Sequence, residues 1–168
     1  MTHTPTKQVR ILAIAPCTRG FGYAVMEEPK TLVDWGIRTV KGDKNAQCLV
    51  HVEAMIALYQ PTILVLQDHL DEDFRRSPRV RTLIVELNAL ARRRKIAVKR
   101  FSNAEVRVTL CGDADKTKHD MAVKLTDEFS EELASRLPPK RRAWTSEPYQ
   151  MSIFDAVALA WTTSRGAA

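Results

Sequence analysis

Long apolar segments are absent from this sequence, because charged side chains interrupt every stretch of the length, about 20 residues, that could cross a membrane. The opening residues, MTHTPTKQVR, are polar and lack the apolar region of a signal peptide. Cysteine is also scarce: Cys17, Cys48 and Cys111 are odd in number and far apart, which suggests neither a metal-ligand pair nor a disulfide framework. We therefore expect a cytoplasmic chain with reduced thiols and no membrane partner.

The overall composition is typical of a globular protein. The 168 residues are 45% hydrophobic and 27% charged, which suits one domain with a sizeable core. Internal repeats and low-complexity segments are not found in the sequence. We predict a single domain over residues 1–168, with flexible ends at 1–8 and 165–168.

Positive charge is concentrated in one segment. The net charge is +6, and residues 75–107 carry eleven basic side chains against only Glu86 and Glu105, a local balance of +9. Such a segment favours nucleic-acid phosphate as the partner. The alternative is a basic surface that only meets solvent.

Apolar periodicity and turn residues divide the chain into strands and helices. The segments VRILAIA and GFGYAVME flank the turn residues PCTRG and predict a hairpin, while the almost wholly apolar TILVLQ predicts a central strand. The predicted strands are 9–15, 20–27, 31–40, 62–67 and 96–101. The predicted helices are 45–59, 79–94, one starting at 102 or 103, 114–129 and 152–164, with a loop at 138–142. This order indicates an α/β fold in which a mixed five-stranded sheet is flanked by helices.

Three segments in this order resemble the RuvC family of Holliday-junction resolvases, which have an RNase H-like fold. ILAIAPCTRGFGYAV resembles the opening pattern of the family, an apolar strand followed by Asp-Pro-Gly, a small residue, Arg and Gly-Tyr-Gly. VTLCGDADKTKHDMA resembles its Gly-x-Ala-Asp-Lys segment, and SIFDAVALA resembles its closing Asp-x-x-Asp-Ala helix. The resemblance covers residues 9 to 163 and implies Mg²⁺-dependent cleavage of branched DNA by a symmetric dimer.

The acids that this resemblance implies are mostly replaced. The first-strand Asp falls on Ala15, the Glu that ends the central strand falls on Gln67, and the helix pair falls on Ser152 and Asp155. Asp155 therefore stays in register, while Asp68 stands one position away from the expected Glu. In a regular strand that displacement turns Asp68 to the opposite face, unless a bulge or the strand end brings it back.

These replacements remove most of the charge that a two-metal site needs. Hard cations such as Mg²⁺ prefer carboxylate oxygens, so we expect tight Mg²⁺ binding to be lost. The alternative is weak cleavage supported by Mn²⁺, which requires Asp68 to join Asp155 as a ligand. Lys116 matches a family lysine near the scissile phosphate, and the predicted helix 114–129 places Lys116 and Asp115 in its first turn. The sequence does not distinguish engineered changes from natural drift, although Ser152 favours drift.

Further residues are candidates for DNA contact. Arg19 lies in the first turn, and Lys118 lies next to the family-like lysine. Phe74 has two interpretations, a wedge between bases or packing on the neighbouring helix, and the second is favoured. The candidates for phosphate contact in the basic segment are Arg75, Arg76, Arg79 and Arg81.

Three functions are open at this point. In the first, the chain is a resolvase-like enzyme that acts on Holliday junctions and has lost catalytic acids. In the second, it is a natural non-catalytic DNA-binding scaffold. In the third, it is an RNA-processing relative like the YqgF group. Whether it is an enzyme is therefore undecided. The resemblance implies a homodimer, and we expect its interface along the helix at 79–94.

Overall fold

Five strands form one sheet in the order β3-β2-β1-β4-β5. The computed structural model describes residues 8–140 and 147–166, so most of the two predicted ends and the last two residues of the predicted 138–142 loop lie outside it. The strands are β1 (Arg10–Cys17), β2 (Gly20–Glu27), β3 (Thr31–Thr39), β4 (Ile63–Gln67) and β5 (Ala97–Phe101). The first three run antiparallel as a meander, whereas β4 pairs in parallel with β1 and β5. The predicted mixed five-stranded sheet is confirmed.

Six α-helices and one 3-10 turn are present in the described ranges. They are α1 (Lys44–Tyr59), α2 (Pro78–Arg93), α3 (Asn103–Cys111), α4 (Lys118–Glu128), α5 (Ser130–Leu133), the 3-10 turn Ala134–Arg136 and α6 (Met151–Gly166). Asp43, Ser77, Ser102 and Thr117 cap the first four helices, each accepting a hydrogen bond from a backbone N–H in the first turn. No helix within these ranges is both long and apolar enough to span a membrane.

The helix predicted over 114–129 begins four residues later than predicted. Thr117 and Asp120 form a reciprocal capping box, in which each side chain accepts a hydrogen bond from the other residue's backbone N–H. Lys118 is therefore the first helical residue. Asp115 and Lys116 precede the cap, so the prediction that they belong to the first turn, where the helix dipole favours Asp115, is wrong.

Side-chain alternation along β1 divides the core between the two faces of the sheet. Ile11, Ala13 and Ala15 pack with the cluster beneath α3, α4 and α6. Leu12 and Ile14 pack with the cluster beneath α1 and α2. The same alternation in β4 places its middle residue on the α6 side. Because the central strands are covered on both faces, Ala15 is buried beneath helices and Gln67, at the end of β4, is partly buried.

Candidate functional site

A cavity of about 480 Å³ lies where β1 and β4 end and α6 begins. Parallel pairing aligns Ala13 of β1 with Val65 of β4, so Ala15 and Gln67 follow at the same edge of the sheet. Asp155 of α6 reaches the same cavity. We name this space the acid-position cavity, because it is lined by Ala15, Gln67, Asn103, Arg107, Lys118 and Asp155, among others.

Asp155 is the one acid that the resemblance to the RuvC family keeps in register, and it is paired with a lysine. Its side chain is 27% exposed, and its Oδ2 lies 3.4 Å from the Nζ of Lys118. The same Nζ lies 3.0 Å from Oε1 of Glu147. Burial raises the pKa of Asp155, and the charge of Lys118 only partly opposes this rise. Burial would lower the pKa of Lys118, but the charges of Asp155 and Glu147 outweigh it and raise that pKa.

The other three acid positions are neutral, and two of them are satisfied by local hydrogen bonds. Nε2 of Gln67 donates to Oδ1 of Asn103 over 3.2 Å. Oγ of Ser152 donates to the carbonyl oxygen of Tyr149 over 2.7 Å, and the residue is buried. Ala15 offers only a methyl group. None of these three positions presents a carboxylate to the cavity.

The residues present do not fit a divalent metal ion. Mg²⁺ in proteins prefers an octahedral shell with carboxylate ligands. Within residues 8–140 and 147–166, no group of three or more His, Cys, Asp or Glu side chains is arranged to hold a metal. The two carboxylates that approach one another, Asp155 and Glu147, already share the ammonium group of Lys118.

Asp68 does not compensate for the missing Glu. The strand β4 ends at Gln67, but the Asp68 carboxylate turns back and accepts a hydrogen bond from the N–H of Leu70 over 3.0 Å. Asp68 does not line the acid-position cavity. The geometry therefore does not support the prediction that Asp68 serves as a second ligand beside Asp155.

The lysine at the acid-position cavity is Lys118 rather than Lys116. Lys116 is exposed and lines a neighbouring cavity of about 520 Å³. Lys118 lines both spaces and points its ammonium group at Asp155. The late start of α4 explains this difference. The helix begins at Lys118, four residues later than predicted, so Lys118 and not Lys116 lies in its first turn.

A second cavity, of about 700 Å³, adjoins the first and is rich in arginine. We name it the arginine cavity. Its basic lining residues are Arg19, Lys44, Arg75, Arg76 and Arg79, and its acidic ones are Glu147 and Asp155. The guanidinium of Arg19 lies 4.6 Å from the ring centroid of Tyr149, a cation–π arrangement. The lining is therefore net positive, as a phosphate-binding surface requires.

The four arginines predicted to contact phosphate differ in their surroundings. Arg76 donates to the carbonyl oxygen of Pro16, and Arg79 donates to that of Cys17 over 3.2 Å. Arg81 donates to the carbonyl oxygen of His69, a residue that follows β4. Arg75 is exposed and has no hydrogen-bond or ion-pair partner in the described part of the chain. Arg75 is thus the arginine of this group whose side chain is available for a ligand without breaking an internal contact.

Phe74 is packed, which was the favoured interpretation. The side chain is 6% exposed, belongs to the cluster beneath α1 and α2, and has the Arg81 guanidinium 4.8 Å from its ring centroid. Contact with a base would require Phe74 to leave the core. This arrangement argues against the wedge interpretation.

The structure brings in five residues that sequence reasoning did not assign to the site. Asn103 and Arg107 are four residues apart on α3 and share a face, a spacing that the sequence shows. Lys44 and Tyr149 line the arginine cavity, and Glu147 completes the ion pairs of Lys118. Nothing in the sequence around Glu147 connects it with Lys118, because the two are 29 positions apart and meet only in the fold.

Comparisons with known proteins give a match in structure only. The sequence matches no family model and no curated protein. The fold is similar to "Thermus thermophilus RuvC structure", with a TM-score of 0.68, 15% identity and 95% of each chain covered. It is similar to "T. thermophilus RuvC in complex with Holliday junction substrate", with a TM-score of 0.67, 16% identity, and 95% of this chain and 94% of that chain covered. It is also similar to the yeast mitochondrial Holliday junction resolvase Ydc2, with a TM-score of 0.63, 15% identity, and 94% and 79% covered. The chain therefore has the RuvC-type, RNase H-like fold that the three segments predict.

Proposed function

We propose that this chain is a RuvC-like protein that binds branched DNA, four-way junctions above all, and that cleaves it weakly or not at all. The observation that carries the proposal is the net-positive arginine cavity beside acid positions that have lost their carboxylates. One of the similar structures is a RuvC complex with a Holliday junction, which supports the same substrate class.

The arginine cavity suits a phosphate backbone that bends at a branch point. Arg75 is exposed at its rim, and Arg19 is held over Tyr149 beside it. Guanidinium groups bind phosphate oxygens through paired N–H donors, which fixes position without reading sequence. The binding surface is therefore expected to recognise the shape of the DNA, and affinity should fall steeply with salt.

The acid-position cavity supports the loss of catalysis. Metal-dependent phosphodiester cleavage needs ions that activate water and stabilise the leaving oxygen. The family acids are Ala, Gln and Ser here, and Asp155 is paired with Lys118. We propose that Mg²⁺ does not support cleavage by this chain, and that Mn²⁺, the more permissive ion, supports little.

A symmetric dimer in the cytoplasm is part of the proposal. A four-way junction has pairs of equivalent arms, which a two-fold protein dimer matches. The helix α2 carries the exposed apolar side chain Val85, which supports an interface along this helix. The thiols of Cys17, Cys48 and Cys111 are free, which supports a reducing compartment.

The test is a binding assay with a labelled four-way DNA junction, a duplex of the same arm sequence and single-stranded RNA, in EDTA. We expect the junction to bind at least about tenfold more tightly than the duplex or the RNA. Equal affinity for junction and duplex would overturn the proposal, and a preference for RNA would favour a YqgF-like role. Incubation with Mg²⁺ and Mn²⁺ measures cleavage, and efficient cutting in Mg²⁺ would contradict the proposed loss of catalysis.

Arg75→Gln and Arg136→Gln form a matched pair for this assay. Both residues are exposed and both changes remove one positive charge, but Arg75 lines the arginine cavity, whereas Arg136 ends the 3-10 turn and lines neither cavity. Arg136 also lies outside the basic segment 75–107 and outside α2. We expect Arg75→Gln to weaken junction binding about threefold to tenfold and Arg136→Gln to change it little.

A further inference from the structure

Asp155 is a partly buried carboxylate in a site that has lost its other expected acids. A carboxylate in partly buried surroundings needs a counter-charge, because the charged form is poorly solvated there. In a metal-dependent site the ions supply that charge. In the described part of this chain the side chains do not form a metal-ligand group. The cation that contacts Asp155 is instead the ammonium group of Lys118.

We infer that the Lys118 ammonium takes the place of the metal ion in this site, where it bridges Asp155 and Glu147 and keeps divalent cations out. The inference deepens the proposed function and rests on it, since it explains how the site of a DNA-binding protein stays folded without metal.

The contacts of Lys118 support this role. Its Nζ lies 3.0 Å from Glu147 and 3.4 Å from Asp155, so a single ammonium group serves two carboxylates that come from the start of α6 and from the segment before it. The side chain of Lys118 is 30% exposed, and its stem lies along the cavity wall. The ammonium group of Lys118 therefore supplies a counter-charge to both chain segments.

The position of Lys118 in its helix gives a second, independent indication. It is the first residue of α4, immediately after the capping residue Thr117. The positive end of the helix dipole disfavours a cation at this position. Lys118 is therefore held there against the local preference by the two carboxylates in front of it.

The surroundings also oppose a divalent cation. Four basic residues line the acid-position cavity, Arg75, Arg76, Arg107 and Lys118, against two acidic ones, Asp73 and Asp155. A divalent ion would therefore have to displace an ammonium group from Asp155 in surroundings whose net charge is positive. It follows that restoring the missing acids alone, by Ala15→Asp, Gln67→Glu and Ser152→Asp, would leave Lys118 as a competitor for the remaining ligand.

The first experiment uses the unchanged protein. Limited acylation with acetic anhydride, read by peptide mass spectrometry, compares Lys118 with the exposed Lys116 two residues away. We expect Lys118 to react several times more slowly than Lys116. Adding Mn²⁺ at about 10 mM should not change the rate at which Lys118 reacts. If Lys118 reacts as fast as Lys116, or if Mn²⁺ speeds its reaction, the ammonium does not hold the site and the inference is wrong.

The second experiment measures Mn²⁺ affinity by calorimetry in two variants. One carries Ala15→Asp, Gln67→Glu and Ser152→Asp, and the other adds Lys118→Gln. We expect the added change to tighten Mn²⁺ binding at least about tenfold, because it removes a competing charge next to the ligands. Equal affinities, including two affinities too weak to measure, would show that Lys118 is not what keeps the ion out.

Circular dichroism checks that both variants are folded, and the acylation result stands if either is not. Neither readout uses DNA. A failed metal-exclusion test would therefore leave the junction-binding proposal intact, and failed junction binding would leave the role of Lys118 intact.

Discussion

Gly22 in β2 lies directly under the first turn of α6, where a Cβ atom would overlap the carbonyl group of Ser152 and lie 2.8 Å from the amide nitrogen of Ile153. Gly22 is also the cross-strand partner of Ala15. The absence of a side chain at position 22 therefore sets how closely α6 approaches the sheet, and with it the depth at which Asp155 enters the acid-position cavity.

Gly22→Ala should destabilise the fold by about 2–3 kcal/mol, because backbone atoms of α6 would have to move. For a chain of this length that corresponds to a melting temperature lower by roughly 5–10 °C, measured by thermal unfolding. Gly36→Ala is the control, since its Cβ would meet the Tyr23 side chain at 3.1 Å or more, and a side chain can shift. Equal losses in the two variants would contradict the close-approach interpretation.

Lys118→Met should make stability more sensitive to pH. Burial raises the folded-state pKa of Asp155 above the ordinary carboxyl pKa. Between these two pKa values the folded chain binds more protons than the unfolded chain. Stability therefore falls as pH rises through this window. Lys118 limits this fall because its charge lowers the pKa of Asp155. Without it, we expect the window to extend upward and the loss to reach about 2 kcal/mol at pH 7.

The measurement is the melting temperature from about pH 4 to pH 11. Because the pKa of Lys118 is raised in the folded chain, the charged lysine stabilises the fold below the ordinary lysine pKa. This stabilisation is lost as pH rises through the folded-state pKa. The loss of stability at alkaline pH should therefore be smaller in Lys118→Met. Lys116→Met, a change at an exposed lysine, should follow the unchanged protein. A constant deficit across pH would show that Lys118 acts through packing and not through charge.

Gln67→Glu alone should change stability by less than about 1 kcal/mol. Asn103 now accepts a hydrogen bond from Gln67, and its amide can turn over to donate one to a glutamate. Adding Asn103→Asp to that variant should destabilise it clearly, because two carboxylates would then face each other across the same distance. Asn103→Asp alone should be tolerated, since Gln67 still donates and an acid suits the start of α3.

Thermal unfolding of the two single variants and the double variant gives the coupling between the positions. A double variant that loses only the sum of the two single losses would show that Gln67 and Asn103 are not paired in solution.

Tyr149→Ala should weaken junction binding about threefold to tenfold, because it removes the ring that holds Arg19 at the rim of the arginine cavity. Tyr149→Phe keeps the ring and should bind like the unchanged protein. The side chain of Tyr149 is 38% exposed, so its removal leaves the core intact.

Salt titration separates this effect from a loss of charge. Tyr149→Ala should keep the dependence of affinity on salt, whereas Arg19→Gln should reduce its slope by about one phosphate contact. If both variants bind junctions with unchanged affinity, the Arg19–Tyr149 pair lies outside the DNA interface.

Much of the fold was predictable because it depends on local patterns. Apolar runs and turn residues located all five strands to within two residues at each end, and the near-continuous apolar segment at 62–67 indicated the central strand. The error at 114–129 has a local cause too. The capping box of Thr117 and Asp120 was visible in the sequence, and it competes with a helix start at 114.

The candidate site was predictable only in part. The resemblance to the RuvC family singled out Ala15, Gln67 and Asp155, and the structure brings these three residues to one cavity. The direction of the Asp68 side chain and the choice of Lys118 over Lys116 depend on the end of β4 and the start of α4. A shift of one or two residues at such an end redirects a side chain, and sequence patterns do not resolve boundaries that finely.

By itself, then, the sequence determined the alternation of strands and helices and the concentration of positive charge, since each is a property of residue order or composition. Its resemblance to the RuvC family indicated that three of the four expected acids are replaced. Tertiary structure alone decided which charges meet. Lys118 lies 29 positions before Glu147 and 37 before Asp155. Its two ion pairs exist because α4 and α6 pack on the same face of the sheet. Coulomb interactions depend on distance in space, which the order of residues does not contain.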